Sequence, residues 1–171
     1  MRGLGMPMLF ASIVLLILIW GVHKIPLDEQ ALAERALTMR GYKLTNDAVT
    51  TDRYILDKSM LMVEEGNWPR IMVWGTQKVS PDAYLGTMIE EYHFVVTNHP
   101  LKRFSKTNTA VTVMLAEGRV IGGYAFPLPL SNGAIFMGGP SYLDGSDMEH
   151  ITGLTYAEWL DQWTLKYGKA D

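Results

Sequence analysis

Thr109–Phe126, TAVTVMLAEGRVIGGYAF, decides the fold, together with Glu91–Leu101, EYHFVVTNHPL, just before it. Thr109–Ala116 is β-branched and largely apolar around Val111, Val113 and Leu115, the composition of a strand packed in a core. Glu117-Gly118 then supplies a tight hairpin turn, and Arg119–Phe126 returns antiparallel. Gly122-Gly123 inside the returning strand predicts a bulge or the close approach of another backbone. Pro127 and Pro129 end that strand, and Ala134–Met137 reads as an edge strand. Tyr92–Thr97 is a further strand, closed by the turn Asn98-His99-Pro100. The centre of the chain is therefore an antiparallel sheet.

Helical signals lie on both sides of it. Leu27–Arg40 carries Asp28 and Glu29 at its start, Arg40 at its end and Gly41 as a stop. Ala33, Leu37, Leu32, Ala36 and Met39 make its apolar stripe. At the other end, Thr155-Tyr156-Ala157-Glu158 has the capping-box spacing and Gly168 follows the last turn. Trp159, Leu160, Trp163 and Tyr167 fall on one stripe about 100° wide, so this helix packs heavily on something. Between these, Tyr42–Leu44, Arg53–Leu56, Met60–Val63 and Arg70–Trp74 are short and β-leaning, although Tyr54–Val63 also fits one helical stretch. Ser80-Pro81-Asp82 reads as an N-cap, a first-turn proline and a first-turn acid, opening a helix to about Glu91 that Gly86 weakens. The fold class is α+β: a small antiparallel-sheet domain with flanking helices, preceded by an N-terminal transmembrane helix.

That last element comes from residues 1–24. No charge occurs from Gly3 to Val22, and Leu4–Val22 is 19 residues long. As a helix it would span about 28 Å, close to the hydrocarbon thickness of a bilayer. Trp20, His23 and Lys24 at its end are residues that settle at a lipid–water boundary. A cleaved signal peptide is the rival reading, but Leu18, Ile19 and Trp20 are bulky where a small-x-small site belongs. The expectation is an uncleaved signal-anchor in the membrane lipid bilayer through residues 4–22. Residues 25–171 then form one extracytoplasmic domain, because a long folded domain is exported largely regardless of its charges.

The whole chain of 171 residues has 15 Lys+Arg against 18 Asp+Glu. Removing Arg2 and Lys24 leaves 13 basic against all 18 acidic side chains, a net charge of −5 on the exposed part. An acidic domain argues against nucleic acid as a partner, since phosphate binding needs a basic face. The absence of cysteine removes disulfides, thiolate nucleophiles, Cys-ligated zinc, iron–sulfur clusters and lipidated cysteine.

The central segment, roughly residues 91–137, resembles an uncharacterised domain of bacterial, mainly Gram-positive, proteins that are often tethered by an N-terminal membrane segment. The likeness lies in Tyr92, Asn98 and Pro100, then Val120, Ile121, Gly122 and Gly123. Where that family usually has an acid after the two glycines, this chain has Tyr124. The resemblance implies an anchored α+β domain of unknown role, and it carries no catalytic residue.

Candidate chemistry is sparse. Asp144, Asp147 and Glu149 surround Gly145 as oxygen ligands for calcium, without the spacing of an EF-hand. His93, His99 and His150 are possible zinc ligands, and Met60 and Met62 possible copper(I) ligands. Ser, His and Asp are present, but no Gly-x-Ser-x-Gly elbow occurs. The pairs Glu64-Glu65 and Glu90-Glu91 should diverge rather than converge on one bond. Aromatics are plentiful, and Trp68 and Trp74 stand out as interaction residues, with Trp68 in a Gly-Asn-Trp-Pro loop. The expected function is protein–protein recognition at the cell envelope by a single-pass, membrane-anchored domain, with an envelope or membrane protein as partner. Neither enzymatic activity nor a cofactor is expected. The alternatives are a tethered small-ligand or Ca/Zn-binding domain, and an envelope hydrolase.

Overall fold

In the computed structural model, residues 28–134 and 138–168 are described. The segment 4–22 lies outside them, as does the expected edge strand from residue 135 on. No helix among the described residues is long and apolar enough to cross a membrane.

Five antiparallel strands, β1 (Thr50–Ile55), β2 (Met88–Val96), β3 (Thr109–Ala116), β4 (Arg119–Pro127) and β5 (Ser141–Tyr142), pair in sequence order. The β3–β4 turn has Glu117 and Gly118 at φ 52° and 68°, the two left-handed residues such a hairpin requires. Strand β3 is buried along its whole length, which explains its unbroken apolar run. Its side chains divide between two cores. Val111, Val113 and Leu115 join Tyr92, Phe94 and Val96 beneath helix α1 (Glu29–Thr38). Met114 and Ala116 join Ile89 on the opposite face, beneath α2 (Trp68–Gly75) and α5 (Tyr156–Tyr167). The chain is thus α+β, with a five-stranded antiparallel sheet and flanking helices.

The two outer helices follow their sequence signals. Asp28 caps α1 by accepting from the Gln30 N–H, and Ala33 and Leu37 are fully buried. Met39, expected on the same stripe, lies past the helix end and points outward. Helix α5 has the reciprocal Thr155–Glu158 capping box and buries Trp159, Trp163 and Tyr167. Those three rings stack with centroids 5.2 and 4.6 Å apart, and the Trp163 indole donates to the Leu61 carbonyl at 2.7 Å.

The middle of the chain departs from its local propensity. Arg70–Trp74 is helical, with Pro69 in the first turn. Its bulky residues Ile71, Val73 and Trp74 are all buried, and packing overrides β-branching here. The first half of Met60–Val63 belongs to a 3₁₀ turn, Lys58–Leu61, capped by Asp57. The second half is extended, with the Val63 N–H donating to the Gly168 carbonyl at 3.0 Å. The helix expected from Ser80 is only a 3₁₀ turn, Pro81–Tyr84. Gly86 reverses the chain at φ +77°, and its N–H donates to the Leu56 carbonyl at 2.8 Å. Strand β2 can therefore start at Met88, four residues before Tyr92.

Gly122 and Gly123 carry both features expected of them. The β3–β4 register shifts between Met114 and Leu115, leaving Ile121 as the extra residue. A Cβ on Gly122 would meet the Gln77 carboxamide, and one on Gly123 the Thr112 carbonyl and Leu143. Gln77, just past α2, fills that space: its Oε1 accepts from the Gly123 N–H at 2.9 Å and its Nε2 donates to the Val73 carbonyl at 2.7 Å. Replacing Gln77 with Ala orphans a buried N–H and should cost about 1–3 kcal/mol, read as a lower urea midpoint.

His99 is buried against Tyr42, its ring bonded to the Leu143 carbonyl at 3.2 Å and the Leu101 N–H at 3.3 Å. Burial pushes its pKa below the ordinary 6.5, against the opposing pull of the Leu143 carbonyl and Asp144. The unfolded chain therefore binds the proton more readily, and protonation favours unfolding. Stability should be full above pH 6.5 and fall as the pH drops below it. A His99→Gln variant should lack this portion of the slope in urea titrations at each pH.

Candidate functional site

Residues i and i+2 of a strand share a face, so the parity that buries Ile89 also points Glu91 and His93 the same way. Across β3, Thr112 pairs with both His93 and Tyr124, which brings Tyr124 onto that face as well. Here the sheet turns from apolar to polar. Glu91 is only 4% exposed, and a carboxylate at that depth requires a cation. Arg70, in the first turn of α2, provides it: Nη1 donates to Glu91 Oε1 at 3.1 Å. The Tyr124 hydroxyl donates to the other carboxylate oxygen at 3.3 Å.

Arg70 is held from a second side. Its Cζ lies 3.5 Å from the centroid of the Tyr54 ring, a cation–π contact. The Tyr54 hydroxyl in turn accepts from the buried Trp74 indole at 3.2 Å. Burial, reinforced by the charge of Glu91, pushes the Tyr124 phenol up to about 12 and that of Tyr54 higher still. Both stay protonated at neutral pH. The cleft in front of these groups has a volume of about 350 Å³ and is lined by Met60, Asn67, Pro69, Arg70, Glu91 and Tyr124 among others. Arg70 keeps 31% of its side chain exposed there, and among the described residues its guanidinium donates one hydrogen bond, to Glu91.

Next to the cleft, the imidazole of His93 is bonded to Asp52 Oδ2 at 3.1 Å and to Thr112 Oγ1 at 2.8 Å. Carboxylate, imidazole and hydroxyl in that order have the composition of a hydrolytic triad. Thr112 is only 5% exposed, however, and its secondary hydroxyl lies within the sheet, where a substrate cannot reach it. The trio ties β1 to β2 and β3.

Of the residues singled out from sequence, Met60 lines the cleft and Trp68 stands beside it, while most others lie elsewhere or serve the framework. Asp144 forms an ion pair with Lys78 at 2.6 Å and accepts from the Ser146 N–H. Burial works against its ionisation, but Lys78 and Ser146 hold the carboxyl down at about 2. Asp147 caps the short helix α4 (Met148–Thr152), accepting from the His150 N–H at 2.8 Å, and Glu149 is exposed in its first turn. Among the described residues, no group of three His, Cys, Asp or Glu side chains is placed to hold a metal ion. Trp74 is buried in the core, while Trp68 opens α2, half-buried beside the cleft-lining Asn67 and Pro69. Glu90 and Glu91 diverge as expected, Glu90 meeting Arg53 at 2.9 Å on the other face.

Arg70 and Tyr124, which line the cleft, and Tyr54 behind Arg70 were not singled out from sequence, and Glu91 was read only as half of a diverging pair. The available signal was Glu91 itself, an acid with the parity of Ile89 in an otherwise apolar strand. Comparison with family models, with curated proteins and with solved structures finds no match for the chain.

The ion pair can be isolated by a double-mutant cycle. Arg70→Met alone strands a buried carboxylate and should cost roughly 3 kcal/mol, the low end for buried pairs because Arg70 is partly exposed. Arg70→Met combined with Glu91→Leu should recover most of that loss in urea unfolding.

Proposed function

We infer that the chain is a single-pass protein of the cell envelope, anchored in the bilayer through residues 4–22, whose extracytoplasmic domain recognises a partner protein. The charge-free stretch Leu4–Val22 and the resemblance of residues 91–137 to a membrane-tethered bacterial domain support the placement. One observation carries the recognition: a guanidinium held by Glu91 and Tyr54 lines an open cleft, with 31% of its side chain exposed and one hydrogen bond made among the described residues. Such a planar fork, immobilised before binding, takes up a carboxylate at little entropic cost. The partner is therefore a membrane or envelope protein that presents an acidic side chain or its terminal carboxylate to Arg70, with Trp68 beside the contact. A small carboxylate ligand is the second reading, favoured by the cleft's volume of about 350 Å³, which falls within the range of ligand pockets.

A photo-reactive phenylalanine analogue at position 68 of the intact chain, irradiated in native membranes, should give one discrete protein adduct. Arg70→Lys keeps the charge but removes the fork, and should abolish that adduct while circular dichroism shows an unchanged fold. An adduct indifferent to Arg70→Lys, or no adduct, would refute the partner-protein reading. Loss of heat-induced stabilisation by a free dicarboxylate in Arg70→Lys, without any adduct, would select the small ligand instead.

A further inference from the structure

One end of the molecule has a charge opposite to that of the whole. The chain carries no acid between Glu91 and Glu117, and the β2–β3 connection holds Lys102, Arg103 and Lys106 around Phe104. That connection contains the short helix α3 (Lys102–Ser105), on which Phe104 is 83% exposed. The segment after α1 reaches the same end. The Lys43 carbonyl accepts from the Thr97 N–H, Asn98 binds both the Lys43 N–H and the Gly41 carbonyl, and Lys102 Nζ donates to the Thr97 carbonyl. Arg40 and Lys43 thereby join the three cations of the connection, and Met39, 76% exposed, joins Phe104.

The salt bridges among the described residues use Arg53, Arg70, Lys78, His93, Arg119 and Lys166, and none of these five cations. The acids on adjoining segments are Glu34, bonded to Gln30, Asp47, bonded to Thr45, Asp144, already paired with Lys78, and Asp147, which caps α4. Lys106 also stands at φ 63°, a helix-end position that glycine occupies most easily, so the chain keeps a cation where the backbone favours none.

We propose that this basic end, with Phe104 and Met39 at its tip, docks on the headgroups of an anionic lipid bilayer. Unpaired cations supply attraction to the anionic surface, and bulky apolar side chains beside them enter the headgroup–acyl boundary, a combination suited to a bilayer. Nucleic acid would use the cations and stack an unpaired base on Phe104, but would leave Met39 in water. The tether permits the contact. Five residues separate Val22 from Asp28, a reach of up to about 17 Å, and α1 is about 15 Å long. The helix can therefore lie along the surface, with its C-terminal end and the basic end on the lipid. The proposal uses the anchored reading for this geometry only, and the domain then sits on the membrane in one orientation.

The absence of cysteine makes the test direct. In the full chain, Phe104→Cys and, separately, Leu165→Cys on the exposed face of α5 are labelled with an environment-sensitive dye. Each is reconstituted in vesicles of phosphatidylcholine alone or mixed with phosphatidylserine. The dye at position 104 should shift to the blue only in the mixed vesicles and return in high salt, while that at 165 stays unchanged. The variant Lys102→Gln/Arg103→Gln/Lys106→Gln should weaken the response about fivefold for each cation removed. No shift at 104, or an equal shift at both positions, would overturn the proposal, as would a shift produced by an oligonucleotide in place of the anionic lipid. Flotation with pure phosphatidylcholine separately reports on residues 4–22. Its failure would remove the anchor without touching the response at 104.

Discussion

The side chain of Gln77 is the join on which the arrangement depends. Next to the bulge at Ile121 in β4, space is left beside the strand because neither Gly122 nor Gly123 has a Cβ. Into that room goes one carboxamide, bonded to the helix end at Val73 and to the strand at Gly123. A buried donor and acceptor are satisfied together, so the helix is held in one register against the sheet. Arg70 lies three residues before Val73 on the same helix, less than one turn away. The clamp at Gln77 consequently sets where the guanidinium meets Glu91.

The ion pair sits where the two requirements of the sheet face conflict. Beneath α2 and α5 the face is filled by Ile89, Met114 and Ala116, with Trp159 and Trp163 over them. Beyond the first turn of α2 no further helix among the described residues covers it, and the side chains become Glu91, His93, Thr112 and Tyr124. Each of these polar groups finds a partner, and the partners lie on different elements. The consequence is a cationic fork already oriented and partly open to solvent, in a chain whose net charge is negative. Such a fork gives specificity more readily than stability, because the desolvation of Glu91 offsets much of the attraction.

Charge is also divided between the ends of the domain. Asp28, Glu29 and Glu34 lie at the start and middle of α1, and Arg40 and Lys43 follow its end. Helix polarity favours that order, acids near the positive terminus and bases near the negative one. The β2–β3 connection extends the basic end with three more cations. A domain built this way presents an oriented field, and orientation matters for a protein proposed to stand on a membrane while meeting a partner.

Strand alternation in Thr109–Phe126, the hairpin at Glu117-Gly118, the paired glycines and the capping box at Thr155 were legible directly, because each is a local pattern with a local cause. The same holds for the α+β class. Arg70–Trp74 was not legible, since its β-branched residues Ile71 and Val73 form a helix only when tertiary packing buries them. Glu90-Glu91 was legible as a diverging pair, but not as two carboxylates each held by an arginine on opposite faces, because a partner's identity is not carried by its own strand. Arg70 is 21 residues from Glu91, Tyr124 is 33, and the patterns between them mark turns, caps and strands without linking the three side chains. The sequence by itself determined the elements whose hydrogen bonds and apolar periods close within a few residues. Tertiary structure alone decided the site, because burying Glu91 forces a cation and a phenol from distant segments to meet it.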